Sequence, residues 1–245
     1  MSKKLNRVGE KYVTKEGYEV EIIEYVNGND CTVRFDDGTI IKNRMFYSIK
    51  IGSISNPFHP AVCGVGYLGI GDYKCSINKK KTKQYVSWHS MLVRCYAKNL
   101  PTYTNCSVHP DWHNFQNFAE WFDKNHKEGM DLDKDILSKG NKVYGPDTCT
   151  FVPSDVNTLF VKGKRRRGKY PIGVYYSKVA RKFSAMLNKT NIRECLGLFN
   201  TAEEAFYAYK EAKEKYIKEV AEKYKSVITI ECYNALMNYE VEITD

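Results

Sequence analysis

Between Lys162 and Arg193 the chain places eleven Lys or Arg residues and no Asp or Glu. The run Lys162-Gly-Lys-Arg-Arg-Arg-Gly-Lys169 repels itself, so it belongs on a surface and not in a core, and a lattice of anions is what neutralises it. Behind it comes period-two alternation from Lys182 to Asn188, and then Thr201-Ala-Glu-Glu204, a capping box that opens an amphipathic helix. Phosphates of a nucleic acid suit such a surface best, because each one met by a cation releases counterions.

The net charge of +9 on 245 residues agrees, though clustering carries more information than the total. With 42% apolar and 13% aromatic residues there is material for real cores, and the length suggests two or three compact units. Eight cysteines show no paired short spacing and the N-terminus lacks an apolar signal segment, which reads as reduced thiols in a soluble cytoplasmic protein. No stretch has the roughly 18 consecutive apolar residues of a membrane span.

Residues 1–52 alternate in short runs, Tyr18 to Tyr25, Cys31 to Phe35, Thr39 to Ile41 and Phe46 to Ile51, broken by Asn27-Gly28-Asn29-Asp30 and Asp36-Asp37-Gly38. The pattern predicts a small N-terminal β-barrel and resembles Tudor-like modules. Residues 53–87, rich in glycine and proline, read as a linker ending in a basic loop at Lys79-Lys-Lys81 and Lys83. Residues 88–161 begin with Trp88, Met91, Leu92 and Cys95 at helical spacing, followed by Trp112, Phe115, Phe118, Trp121 and Phe122 on a second apolar stripe, of which we assign Trp112, Phe115, Phe118 and Trp121 to packing. A zinc reading of Cys95, Cys106, His109 and His113 is the minor alternative, since their spacing matches no zinc motif.

The segment Asp131-Leu-Asp-Lys-Asp-Ile-Leu137, with Gly140-Asn141, Tyr144-Gly-Pro-Asp-Thr-Cys149 and Val152-Pro-Ser-Asp-Val-Asn157, resembles the HNH endonucleases of phage and mobile elements. The resemblance implies a ββα unit in which Asp133 and Asn157 hold a divalent cation such as Mg2+, the oxygen-ligated ion that phosphodiester cleavage uses. Lys134 stands where the family has its histidine base. An ordinary lysine is protonated at neutral pH, so Lys134 would clamp the scissile phosphate, with Asp135 the nearest candidate base.

From Tyr170 the chain reads Tyr-Pro-Ile-Gly-Val-Tyr-Tyr, Arg181-Lys-Phe-Ser-Ala-Met-Leu-Asn188, Arg193-Glu-Cys-Leu-Gly-Leu-Phe199 and the helix start at Thr201. Residues 162–225 thereby resemble the DNA-binding domain of plant ethylene-response factors, in which a three-stranded antiparallel sheet enters the major groove with one long helix behind it. Alternation turns Phe183, Ala185 and Leu187 to the helix and Lys182, Ser184, Met186 and Asn188 outward. The resemblance adds Tyr175, Ser177, Arg193 and Cys195 to the groove side, and Lys164, Arg165, Arg166, Arg167 and Lys169 supply further cations. Residues 226–245 read as a helix from Ile228 to Met237 and a short strand at Tyr239–Ile243, an acidic tail docked on the body.

The expected fold class is α+β: an N-terminal barrel, an HNH-like ββα unit with helices, and a C-terminal three-stranded sheet on one long helix. The expected partner is double-stranded DNA, within a bacterial host cell if the phage-type resemblance holds. The expected function is a metal-dependent endonuclease or nickase. The alternative is a non-cleaving, regulatory or counter-defence DNA-binding protein on the same scaffold.

Overall fold

The computed structural model describes residues 6–97, 103–160, 169–189 and 192–245. It is an α+β protein with two compact units, Met1–Leu100 with Pro110–Glu120, and Pro101–His109 with Trp121–Asp245.

In the first unit β1 (Lys11–Val13), β2 (Glu19–Asn27), β3 (Asp30–Phe35) and β4 (Ile40–Arg44) form one antiparallel sheet in sequence order. The expected barrel is not formed: among the described residues no strand pairing joins β4 back to β1. Closure needs first and last strands long enough to pair, and β1 has three residues. The run Phe46 to Ile51, expected as a strand, is instead helix α1 (Phe46–Lys50). Phe46 and Ile49 lie three apart and share one helical face. Ile49 is fully buried with Val20, Ile22, Val33 and Phe35, and Phe46 packs edge-on against Tyr12 and Tyr25.

Residues 53–75 are not a loose linker. Ile54 and Asn56 are buried, and Gly66 lies so close to Trp88 and Leu92 that a Cβ there would stand 2.4 Å from Leu92 Cδ1. A two-stranded hairpin, β5 (Ser76–Ile77) and β6 (Lys80–Lys81), then leads into α2 (Lys83–Tyr96), whose Trp88, Met91 and Leu92 are fully buried. Trp112 lies on a 3-10 turn (Pro110–His113) and accepts a 2.7 Å hydrogen bond from Trp88 Nε1 at its backbone carbonyl, while Phe115 and Phe118 pack their rings against Trp88 and Trp112 respectively. Trp112, Phe115 and Phe118 are core, as their spacing indicates, whereas Trp121 is half-buried.

In the second unit β7 (Ser107–Val108) pairs in parallel with β9 (Val143–Tyr144), and β8 (Met130–Asp133) pairs antiparallel with β10 (Thr150–Pro153). Helix α3 (Phe115–Asn125) precedes β8, and Trp121 and Phe122 near its end rest against Phe151 of β10. β10 runs directly into α4 (Ser154–Thr158), giving the strand, loop, strand and helix order expected for residues 130–158.

The C-terminal half of this unit is one antiparallel sheet, β11 (Val174–Ser177), β12 (Lys182–Lys189) and β13 (Ile192–Phe199), followed by the 23-residue helix α5 (Ala202–Tyr224). Both halves of the capping box form: Thr201 Oγ1 accepts from Glu204 N at 3.1 Å, and Glu204 Oε2 accepts from Thr201 N at 3.3 Å. Such a cap contributes about 1 kcal/mol. The first half of α5 buries Ala205, Phe206 and Tyr209 against Val174, Ala185 and Leu187 of the sheet. Its second half buries Ile217, Val220 and Ala221 with Val152 and Val156 of the strand-helix unit and with Cys232 and Leu236 of α6 (Ile230–Met237). The two regions that read as separate modules thus share one spine.

The tail after α6 is not a strand. Its backbone is held by side chains instead of a neighbouring strand: Lys210 Nζ donates to Val241 O at 2.8 Å and Glu214 Oε1 accepts from Val241 N at 2.8 Å. Val241 is buried in the sheet-helix core, so the tail docks on the body as its composition suggests. No described helix is long and apolar enough to cross a membrane.

Candidate nucleic-acid interface and carboxylate cluster

The sheet has one covered and one open face, and its register settles which residues stand on the open one. Ala185 and Leu187 are buried beneath α5, so Lys182, Ser184, Met186 and Asn188 point away from the helix. Their cross-strand partners share that face: Ser177 opposite Lys182, Tyr175 opposite Ser184, Cys195 opposite Met186 and Arg193 opposite Asn188. A register shift between Ala185 and Met186 then changes the count along β13. Gly197 at φ 143° carries the irregularity, and beyond it Leu198 stands opposite Ser184 on the open face while Phe199 turns inward.

The open face therefore holds Tyr175, Ser177, Lys182, Ser184, Met186, Asn188, Arg193, Cys195 and Leu198, without a carboxylate among them. Lys182, Asn188, Arg193, Cys195 and Leu198 are exposed. The Arg193 guanidinium sits 4.9 Å from the Tyr175 ring centroid, across the middle strand. That contact holds the arginine over the face. Glu194, the carboxylate of β13, leaves on the helix side and pairs with Lys189 at 2.8 Å. The Ser177 hydroxyl shapes the β11–β12 turn by accepting from Ala180 N at 3.2 Å. At that turn Lys178 and Arg181 are exposed, Arg181 in the left-handed region at φ 51°. Lys169 is exposed with its ammonium 5.7 Å from the Tyr170 ring centroid. Lys164, Arg165, Arg166 and Arg167 lie outside the described residues.

The expected catalytic residues fall at the end of β8 and on α4. Asp131 and Asp133, two apart, leave β8 on one side, opposite buried Leu132. Asn157 comes next to Asp131, a residue absent from the expected site: Asn157 Nδ2 is 3.5 Å from Asp131 Oδ2, and Ser154 Oγ donates to the same oxygen at 2.8 Å. The Asp-Leu-Asp alternation carries the signal for Asp131. Asp133 turns back on the chain, its Oδ1 accepting from the backbone N–H of Asp135 and of Ile136, both at 2.8 Å. Burial pushes its carboxyl above the usual carboxylate range, against the lowering effect of those two hydrogen bonds and of Lys134.

Lys134 does not present its ammonium to solvent. It is 6% exposed, donates to Asp135 Oδ1 at 2.7 Å and Asn141 O at 3.0 Å, and lies 5.8 Å from the Tyr144 ring centroid. This corrects the expected phosphate clamp: the lysine staples the loop between β8 and β9, and the Asp135 carboxylate expected as a base is bound to it. Asn141 completes the staple, donating from Nδ2 to the carbonyls of Lys134 and Val143. Next to this staple the Cys149 thiol is pushed up to about 12 by burial and is inert as a nucleophile.

The structure brings Asn157 to Asp131 but shows no contact between Asp133 and either of them among the described residues; the Asp133 charge is felt instead by the buried thiols of Cys149 and Cys232. Asp131, Asp133 and Asn157 carry carboxylate and amide oxygens, and Thr150, opposite Asp133 in the register, has a buried hydroxyl without a hydrogen-bond partner among the described residues. Oxygen donors of this kind fit a hard cation such as Mg2+. Among the described residues no three His, Cys, Asp or Glu side chains gather for a metal ion, and of the four considered for zinc, His113 has its Nε2 3.4 Å from the Tyr96 hydroxyl.

Comparison with protein-family models, with curated proteins and with solved structures returns no match.

Proposed function

We propose that this chain is a duplex-DNA-binding protein that lays the open face of β11–β13 against the nucleic acid. The supporting observation is the composition of that face: exposed Lys182, Asn188 and Arg193, Arg193 resting on Tyr175, and no carboxylate on it among the described residues. A two- or three-stranded surface of this kind fits the major groove, where cations meet phosphates and Arg and Asn read base edges. The resemblance to the plant ethylene-response-factor domain, and the cation run at residues 162–169, point the same way.

The oxygen donors at Asp131, Asp133 and Asn157 favour a second activity, metal-dependent cleavage of the bound strand, as the HNH resemblance implies. Asp133 and Asn157, with Asp131 beside Asn157, would hold Mg2+, which would stabilise charge on the phosphate and the leaving oxygen. Lys134 takes no part beyond keeping the loop in place. With the family histidine absent, the competing reading is a protein that binds without cutting.

Supercoiled plasmid incubated with the protein separates these. Retardation of the plasmid is expected in every case. Nicking that requires Mg2+, stops with EDTA and disappears in Asp133→Ala supports the endonuclease, whereas retardation without nicking over a range of divalent ions leaves binding as the function.

A further inference from the structure

The hairpin β5–β6 is a strongly charged feature that the sheet does not use. Its two-residue turn has Asn78 at φ 50° and Lys79 at φ 63°, the left-handed pair of a tight type I′ connection. Asn is favoured at the first of these positions, and glycine is the comfortable residue at the second. A lysine held there is strained.

Lys79, Lys80 and Lys81 are all exposed, and none of them meets a carboxylate among the described residues; Lys81 has its ammonium 5.5 Å from the Tyr85 ring centroid. The hairpin is welded to α2 by Thr82, whose hydroxyl donates to Lys74 O at 2.9 Å and accepts from Tyr85 N at 3.3 Å, while Thr82 N donates to Cys75 O at 3.0 Å. The first turn of α2 has no acidic residue and begins with Lys83. The N-terminal end of α2 and three exposed lysines are thus held on one frame, with Lys80 and Lys81 leaving β6 on opposite sides. That arrangement is unfavourable in isolation and is relieved by an anion with several charges in a row.

We propose that the β5–β6 hairpin is a second nucleic-acid-binding element, contacting about three backbone phosphates through Lys79, Lys80 and Lys81. Phosphate contact in this form carries no sequence information; it adds affinity. The inference rests on the DNA-binding reading above, and its test keeps the two apart.

Binding of a duplex of about forty base pairs is titrated against salt for the full chain, for the triple variant Lys79→Gln, Lys80→Gln, Lys81→Gln, and for a charge-matched control, Lys15→Gln, Lys42→Gln, Lys50→Gln. Three lost phosphate contacts reduce the slope of log affinity against log salt by about 3 in the hairpin variant, and affinity at low salt falls at least about tenfold. The control changes the slope by less than about 1, and both variants melt where the parent does. An unchanged slope in the hairpin variant, or equal changes in variant and control, overturns the proposal while the DNA-binding reading stands. Binding of the parent to phosphatidylserine vesicles that the hairpin variant loses, with duplex binding unchanged, overturns it in favour of a membrane surface. A parent chain that ignores duplex DNA removes both.

Discussion

Replacing Gly173 with alanine is expected to destabilise the second unit by about 3 kcal/mol. Gly173, at φ 78°, lies at the start of β11 where the backbone passes over α5, and a Cβ built there stands 2.1 Å from Tyr209 Cδ2. The left-handed backbone costs an alanine about 1–2 kcal/mol, and forcing an atom into the Tyr209 ring adds roughly 1–3 kcal/mol. Gly173 also fixes the sheet, since its carbonyl accepts from Met186 N at 2.8 Å. Gly129 is the matched control: it has the same φ of 78° and nothing within 4 Å of its Cβ position, so Gly129→Ala carries the backbone cost alone. Urea denaturation of both variants is expected to place Gly173→Ala about 2 kcal/mol below Gly129→Ala. Equal midpoints would mean that the sheet is not pressed against Tyr209.

Lys213→Met is expected to stabilise the protein at pH 7 by up to about 3 kcal/mol. Lys213 lies on the buried stripe of α5 between Tyr209 and Ile217, at the seam between the sheet core and the core shared with α4 and α6; it is 8% exposed. It makes no ion pair among the described residues, its only close cation contact being the Tyr216 ring at 5.9 Å. Burial lowers its pKa from the ordinary 10.5 to about 8. The unfolded chain therefore keeps this proton to higher pH than the folded chain does. The penalty is fully present below pH 8, shrinks as pH rises from about 8 to 10.5, and is gone above that window. At about 1.4 kcal/mol for each pH unit of separation, the penalty reaches about 3 kcal/mol. A methionine of similar length fills the space without it. Parallel urea titrations at about pH 7 and about pH 9.5 should show the gap between variant and parent narrowing with pH. A variant no more stable than the parent at neutral pH would show that the ammonium reaches water.

The particular residues show what the sequence could carry. Thr201 and Glu204 announced the start of α5, because a capping box is a local interaction within one helical turn. Phe183, Ala185 and Leu187 announced the covered face of β12, because one side of a half-buried strand must be apolar. Leu198 needed the register: the irregularity opposite Ala185 and Met186 reverses the alternation, and Gly197 was its only trace in the sequence. The N-terminal strands were legible from their turns, but their failure to close was not. Closure depends on how far the ends of the sheet reach, and Phe46 and Ile49 fit a short helix as well as a strand.

The carboxylate cluster divides the same way. Its strand-loop-strand-helix order was readable from residue types along the chain. The inward turn of Lys134 was not, since it is fixed by the Asn141 carbonyl across the loop and by Asp135, and a lysine in a loop is ordinarily solvated. Asn157 beside Asp131 follows from the antiparallel register that sets Asp131 opposite Val152, just before α4 begins. The spine role of α5 was also hidden, because one apolar stripe looks alike whether it covers one partner or two.

The most direct test of the open sheet face as a DNA-binding surface is the salt dependence of duplex binding by the parent chain and by the double variant Lys182→Glu, Arg193→Glu. About six phosphate contacts give the parent a slope of log affinity against log salt near −5. The double variant, with charge reversed on that face, is expected to lose most of its affinity and to show a shallower slope with an unchanged melting temperature. A parent whose binding is indifferent to salt, or a double variant that binds as the parent does, would contradict the account.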